Sequence, residues 1–68
     1  MKKISIISPC FNEKENLIDL TNSVKNIFEK LNKYDYEHII TDNNSEVETK
    51  EILRNLASRN KKIKILFN

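Results

Sequence analysis

Two short polar stretches carry the residue types that could do chemistry in this sequence. Residues 42–44 (Asp-Asn-Asn) follow an apolar pair, and residues 9–13 (Pro-Cys-Phe-Asn-Glu) follow a run rich in isoleucine. Together they offer an aromatic ring, carboxylates and amides, and two predicted helix starts nearby add free backbone N–H groups. This set suits a flat base that presents both N–H and C=O groups, such as uracil.

A purely structural interpretation of the same residues is also open. Asn12 is a plausible N-cap for a helix that follows it, and Ser45-x-x-Glu48 has the spacing of a capping box. Asp42 and Asn43 are also common turn residues. From the residues alone, a binding site and a pair of ordinary helix starts therefore remain alternatives.

The pattern along the chain predicts which elements position the two stretches. Residues 3–8 are rich in β-branched side chains and indicate a buried strand, which we expect to stop at Pro9 because proline cannot continue a central ladder. Helical spacing follows over residues 14–31, then a strand at 38–41, a second helix from Ser45 to about Asn60, and a strand at 62–67. This alternation predicts an α/β fold with a parallel sheet, in which both polar stretches lie at the carboxyl ends of strands.

Composition excludes several function classes. The chain has 68 residues and no glycine, so it is one small domain without a glycine-rich phosphate loop. One cysteine, Cys10, permits no internal disulfide, and with one histidine, His38, it cannot complete a zinc site. The net charge of +2 with interspersed signs gives no reason to expect nucleic-acid binding. We expect no membrane span and a cytoplasmic location, or association with a membrane if the chain is part of a longer enzyme.

At the two polar stretches the sequence resembles a family 2 glycosyltransferase. The resemblance rests on "ISIISPCFNEKENL", on "YEHIITDNNSEVETKEILRNLA" and on "KIKILF", in that order. Members of that family typically begin with a strand and a Pro-x-Tyr/Phe-Asn-Glu loop, and their second strand ends in Asp-Asp-Gly/Asn-Ser. The match covers nearly all of the chain, and the two motifs together are more specific than either alone.

The resemblance implies a fold and a donor. It implies that residues 1–68 form the N-terminal, three-stranded βαβαβ half of a GT-A (Rossmann-like) domain, which binds a nucleotide-diphosphate sugar, commonly a uridine diphosphate sugar. By position, Pro9, Phe11 and Glu13 would line the base and ribose, and Asp42 and Asn43 would lie at the end of the second strand. The family usually has a second acid where this sequence has Asn43, whose amide oxygen can accept a hydrogen bond without charge assistance.

The resemblance also implies what these residues lack. The family's Asp-x-Asp motif, which binds Mn²⁺ or Mg²⁺ on the diphosphate, and its catalytic base both come later in the chain than residue 68. We therefore expect no catalytic residue, no metal ligand and no turnover from these residues alone. The alternative is a non-catalytic module that survives by self-association, and in either case a small chain without a disulfide is expected to form homo-oligomers.

Overall fold

The computed structural model describes residues 2–12 and 14–67. Five elements follow one another: β1 (Lys2–Cys10), α1 (Lys14–Lys30), β2 (Tyr34–Asp42), α2 (Val47–Arg59) and β3 (Ile63–Phe67). This is the predicted order of strands and helices. The α/β fold class is confirmed, as a Rossmann-like βαβαβ unit.

The strands form one parallel sheet in the order β1-β2-β3. Cys10 pairs with Asp42, which in turn pairs with Phe67, so all three carboxyl ends lie at one edge. Both crossovers step across the sheet in the same direction. Because such crossovers are right-handed, α1 and α2 lie on the same face of the sheet, where they pack against each other.

The helix-covered face of the sheet holds the core. Alternate residues of β2 are buried, and the central cluster contains two residues, Ile40 and Leu53, that are 0% exposed. A second cluster lies nearer the amino ends of the strands, where Phe28 and Tyr36 stack with their ring centroids 4.4 Å apart. The central cluster comprises Cys10, Leu17, Ile40, Leu53 and Ile63. The core therefore sits between one face of the sheet and the two helices.

The other face of the sheet has no helix over it in the described part of the chain. Its amino half is charged: the Ser5 hydroxyl donates to Glu37 Oε1 at 2.6 Å, and Lys64 Nζ lies 3.0 Å from Glu37 Oε2. The Ser5 hydrogen bond, followed by that of Lys64, lowers the pKa of the Glu37 carboxyl. Lys62 pairs with Asp35 and is the main cause that lowers the pKa of the Asp35 carboxyl. The carboxyl half instead exposes Ile7 and Leu66, by 66% and 58%.

Two strand boundaries differ from the prediction. β1 does not stop before Pro9 but runs through it to Cys10. The Cys10 carbonyl accepts a hydrogen bond from Asn43 N–H, so the backbone N–H and C=O groups of Cys10 face β2. The backbone of Pro9 therefore points away from β2, to the side of β1 where no described strand pairs. Proline lacks an N–H, and at that side its absence costs no hydrogen bond of the ladder. β2 also begins at Tyr34 rather than His38, because residues 34–37 pair with the start of β1.

Within residues 2–12 and 14–67, no helix has the length and apolar character that crossing a membrane requires.

Candidate functional site

The register of the sheet brings the two polar loops together. Cys10 and Asp42 are paired as the last residues of β1 and β2, so the chain leaves both strands at the same level of the sheet. Asn43 N–H then donates to the Cys10 carbonyl at 2.8 Å, which extends the pairing one residue beyond β2. The two loops therefore start side by side.

Two hydrogen bonds, which we call the cross-loop clamp, join these loops. Asn12 N–H donates to the Ser45 hydroxyl oxygen at 2.8 Å. Glu46 N–H donates to the Asn12 amide oxygen at 2.7 Å. Each loop thus supplies one backbone donor and one side-chain acceptor, so the clamp fixes the loops relative to each other as well as to the sheet.

The clamp corrects the predicted capping role of Ser45. The N-cap of α2 is Glu46, without a side-chain capping bond, so Ser45-x-x-Glu48 is not a capping box. The Ser45 hydroxyl accepts from the other loop instead. The Asn12 amide oxygen accepts from Glu46 N–H at the start of α2, and the predicted N-cap role of Asn12 at α1 depends on residue 13, which lies outside the described residues. For Ser45, local spacing identified a residue that accepts a hydrogen bond from a backbone N–H but assigned it to the wrong partner.

Both loops contain an asparagine in the left-handed backbone region. Asn12 has φ 51° and Asn44 has φ 57°, and neither loop has a glycine to take this conformation. Asparagine tolerates it better than most residues because its short amide can form local hydrogen bonds. These two positions therefore select for asparagine, aspartate or glycine independently of any ligand.

Asp42 is the acidic group that the structure places at the base of the loops. It is 0% exposed and lies on the helix-covered face, in register with Cys10. Its Oδ2 accepts a 3.3 Å hydrogen bond from Ser45 N–H, whereas Oδ1 is buried without a partner among the described residues. Such an unsatisfied oxygen costs about 1–3 kcal/mol, more when it is charged. A donor that reached Oδ1 would recover that energy.

The other predicted site residues occupy different positions. Phe11 is 58% exposed at the start of the first loop, and Asn43 is exposed at the start of the second. Pro9 is exposed, and by strand alternation it lies on the sheet face opposite Asp42. Glu13 lies outside the described residues. The structure thus brings Asp42 and Asn43 to the loop that carries Phe11, and their roles in binding stay predictions.

Two nucleophile-type side chains near the site belong to the core. Cys10 is 2% exposed within the central cluster. Ser8 Oγ lies 3.0 Å from His38 Nε2, but His38 is only 1% exposed and its Nδ1 is buried without a partner in the described structure. Burial lowers the pKa of the His38 imidazole, which favours its neutral form. With no third group to orient the imidazole, this pair lacks the arrangement of a catalytic triad.

The described residues at the loops do not fit a divalent metal. Within residues 2–12 and 14–67, no three His, Cys, Asp or Glu side chains come close enough to hold a metal ion. Asp42 is the sole carboxylate described at the base of the loops. Mg²⁺ and Mn²⁺ need several oxygen ligands, so no chemical step is assigned to a metal here.

Two cavities lie away from these loops. One, of about 390 Å³, runs between α1 and α2. The other, of about 480 Å³, lies beside it at the amino edge of the sheet, near Tyr34 and Tyr36. The polar residues of the two loops line neither cavity, so cavity size and chemistry point to different places. The chemistry is the better guide to a ligand site, because parallel α/β sheets bind ligands at the carboxyl ends of their strands.

The comparisons with known proteins agree with this geometry. The family described as Glycosyl transferase family 2 matches residues 5–68, which include both loops, most of β1 and the other four elements. The chain belongs to glycosyl transferase family 2. A comparison with curated proteins gave no match. Family membership associates the chain with glycosyl transfer from a nucleotide-sugar donor, and the two loops after β1 and β2 are the described region with suitable chemistry.

Proposed function

We propose that this chain binds the uridine diphosphate part of a sugar donor at the loops after β1 and β2, as the N-terminal nucleotide-binding portion of a glycosyltransferase. The observation that carries the proposal is Asp42 Oδ1, a buried carboxylate oxygen without a described partner, at the base of two clamped loops. A ligand N–H or O–H that entered between the loops would satisfy it.

The surrounding side chains suggest how the base is recognised. Phe11, more than half exposed, provides an apolar ring on which a base can stack. The exposed Asn43 amide oxygen can accept from N3–H of uracil. Pro9 and Glu13 are assigned to the base and ribose by family position alone. Asn43 in place of an acid weakens this hydrogen bond by about 1 kcal/mol, so we expect affinity about fivefold lower than with an acid at this position.

Sugar transfer is not assigned to these residues alone. Inversion at the sugar carbon needs a carboxylate or another base in contact with the acceptor hydroxyl. Asp42 is assigned to donor binding at the base of the loops, and the nearby acids Glu46 and Glu48 lie at the start of α2. The described residues therefore supply donor binding, and we expect no turnover from residues 1–68.

The test is a titration of the ¹⁵N-labelled chain with uridine diphosphate, followed by amide NMR. Shifts at Phe11, Asn12, Asn43 and Ser45 are expected, and Mn²⁺ should add nothing. Cytidine diphosphate is the matched ligand, because its N3 is an acceptor and cannot donate to Asn43. Equal shifts from both nucleotides would refute recognition of the base, and no shift at millimolar nucleotide would refute the site.

Asn43→Asp gives a sharper test of the same contact. Converting a neutral acceptor into a charged one strengthens a hydrogen bond by about 1 kcal/mol, so affinity for uridine diphosphate should rise about fivefold. Asn44→Asp is the matched control, since it adds the same charge one residue later and also tolerates positive φ. If the control strengthened binding equally, position 43 would not contact the base.

A second candidate function is self-association, which the bare face of the sheet favours. Ile7 and Leu66 are exposed there, and β1 and β3 both leave an open edge in the described structure. A second copy of the chain could bury these apolar side chains. Sedimentation should show dimers at micromolar concentration that dissociate on Ile7→Lys. Ile18→Lys on α1, a site of similar exposure, should leave them intact. A stable wild-type monomer would refute this candidate.

A further inference from the structure

The cleft between α1 and α2 is a second candidate binding site, separate from the loops of the proposed function. Its volume of about 390 Å³ is within the range of small-molecule sites, roughly 300–1,000 Å³. Its lining comes from both helices and from the start of β3. No residue of the two loops lines the cleft, and since α1 and α2 run antiparallel to the strands, the cleft extends from about one turn inside the helix starts toward the amino ends of the strands.

The cleft has an apolar end and a basic end. Both helices follow parallel strands, so they run in the same direction, and residues at the same level face each other. Ile18 and Ile52 lie at one end of the lining, and Lys25 and Arg59 lie at the other. Seven residues separate the ends on each helix, which corresponds to about 10 Å along the axis. Asn22 and Asn55 line the part between the two ends, and Asn60 lies beyond the basic end. No acidic residue lines the cleft.

The two cations are available to a ligand. Neither Lys25 nor Arg59 forms an ion pair in the described part of the chain, whereas Lys3, Lys62 and Lys64 on the sheet all pair with acids. Lys25 and Arg59 also line the neighbouring cavity of about 480 Å³, so they stand where the two cavities meet. Glu29 and Asp35 line that second cavity, so an anion is favoured on the cleft side of the cations.

We propose that the cleft binds a single-chain amphipathic anion, with its alkyl chain along Ile18 and Ile52 and its acidic head at Lys25 and Arg59. The exposed part of Ile18, 55% of its surface, would leave water when the chain binds. Full burial of a methylene raises affinity about fourfold. Since the cleft is open on one side, we expect about twofold for each added methylene until the chain outgrows the cleft.

The test is amide NMR of the labelled full chain with sodium octanoate below its aggregation threshold. Shifts should map to Ile18, Asn22, Lys25, Ile52 and Arg59. Octan-1-ol has the chain without the charge, octyltrimethylammonium reverses the charge, and acetate lacks the chain, so each should bind more weakly. Octyl phosphate distinguishes a phosphate source from a carboxylate source, and tighter binding than octanoate would assign the head to a phosphate. Equal binding of octanol and octanoate would overturn the proposal.

Variants test the two ends separately. Arg59→Gln should weaken octanoate binding about two- to fivefold, the range for an exposed charge pair. Lys33→Gln makes the same charge change outside both cavity linings and should have no effect. Asn22→Trp, on an exposed helix position, should block the cleft without unfolding the chain.

Equal effects of Arg59→Gln and Lys33→Gln, or octanoate shifts at Ile7 and Leu66 instead, would refute the site. Uridine diphosphate binding, read at Asn43, should be unchanged in every variant, which separates this proposal from the proposed function.

Discussion

The cross-loop clamp should decide whether the two loops form a site, and it can be broken one bond at a time. Ser45→Ala removes the acceptor of Asn12 N–H, and Asn12→Ala removes the acceptor of Glu46 N–H. Asn12→Ala also forces alanine into a backbone with φ 51°. Asn12→Asp keeps both the acceptor oxygen and the tolerance for that conformation, so it should behave like the wild type.

The expected magnitudes follow from the contacts. Each clamp hydrogen bond contributes about 1 kcal/mol, and the left-handed backbone costs a residue with an ordinary Cβ about 1 kcal/mol more. Ser45→Ala should therefore lower the free energy of unfolding by about 1 kcal/mol, and Asn12→Ala by about 2 kcal/mol. A domain of this size has roughly 3–10 kcal/mol in total. The double variant should lose less free energy of unfolding than the sum of the two single losses. One substitution already frees the loops from each other, so the second has less structure left to disrupt.

Urea denaturation followed by circular dichroism measures these losses, and uridine diphosphate titration measures their effect on binding. With a slope near 1 kcal/mol per molar urea, the Asn12→Ala midpoint should fall by about 2 M. Asn44→Ala is the matched control, since Asn44 shares the backbone conformation (φ 57°) but has no described side-chain hydrogen bond. It should lose only about 1 kcal/mol. If Asn12→Ala and Asn44→Ala lost the same free energy, the Asn12 side chain would not hold the loops together.

Three further predictions concern the fold. Leu53→Ala, at a residue 0% exposed, should cost about 3 kcal/mol in chemical denaturation, whereas Ile27→Ala, at 52% exposed, should cost under about 1 kcal/mol. His38 has a pKa below its usual 6.5 because it is buried, so the unfolded chain takes up the proton first, and stability should fall as pH drops below about 6.5. Since His38 is the only histidine in the sequence, His38→Gln should remove that slope from thermal melts between about pH 7 and 5, and an unchanged slope would contradict the assignment. Glu37 has a lowered pKa, so its contribution to stability is present above its ordinary pKa of about 4.5 and is lost as pH falls through the lowered pKa. Glu37→Gln should reduce the fall in melting temperature below about pH 4.5. An unchanged fall would count against the Ser5 and Lys64 contacts.

The sequence was sufficient for the order of elements, since each depends on a local pattern. The apolar spacing from Leu17 to Leu31 predicts a helix with one buried face. The structure buries Leu17, Val24 and Phe28 but leaves Ile27 and Leu31 exposed by 52% and 46%. The β-branched run near Ile6 predicts a strand in the same way. Boundaries were less certain, because whether Pro9 ends a strand depends on which edge of the sheet its nitrogen faces.

The candidate site was predicted in part. Asp42 and Asn43 were identified from their position after an apolar run, but the burial of Asp42 could not be, since it depends on α2 and on the neighbouring strand. The clamp was missed for a similar reason. Asn12 and Ser45 are 33 residues apart, and local spacing assigned each to its own helix.

What the sequence by itself determined is the alternation of strands and helices, the two polar loops and their likeness to a glycosyltransferase, because periodicity and motif spacing are properties of neighbouring residues. Tertiary structure decided which residues face each other. The strand order β1-β2-β3 puts both helices on one face and leaves Ile7 and Leu66 bare on the other. The pairing of Cys10 with Asp42 sets the two loops side by side. Contacts between residues far apart in the chain arise only when the parallel register is formed, and these contacts hold the candidate site together.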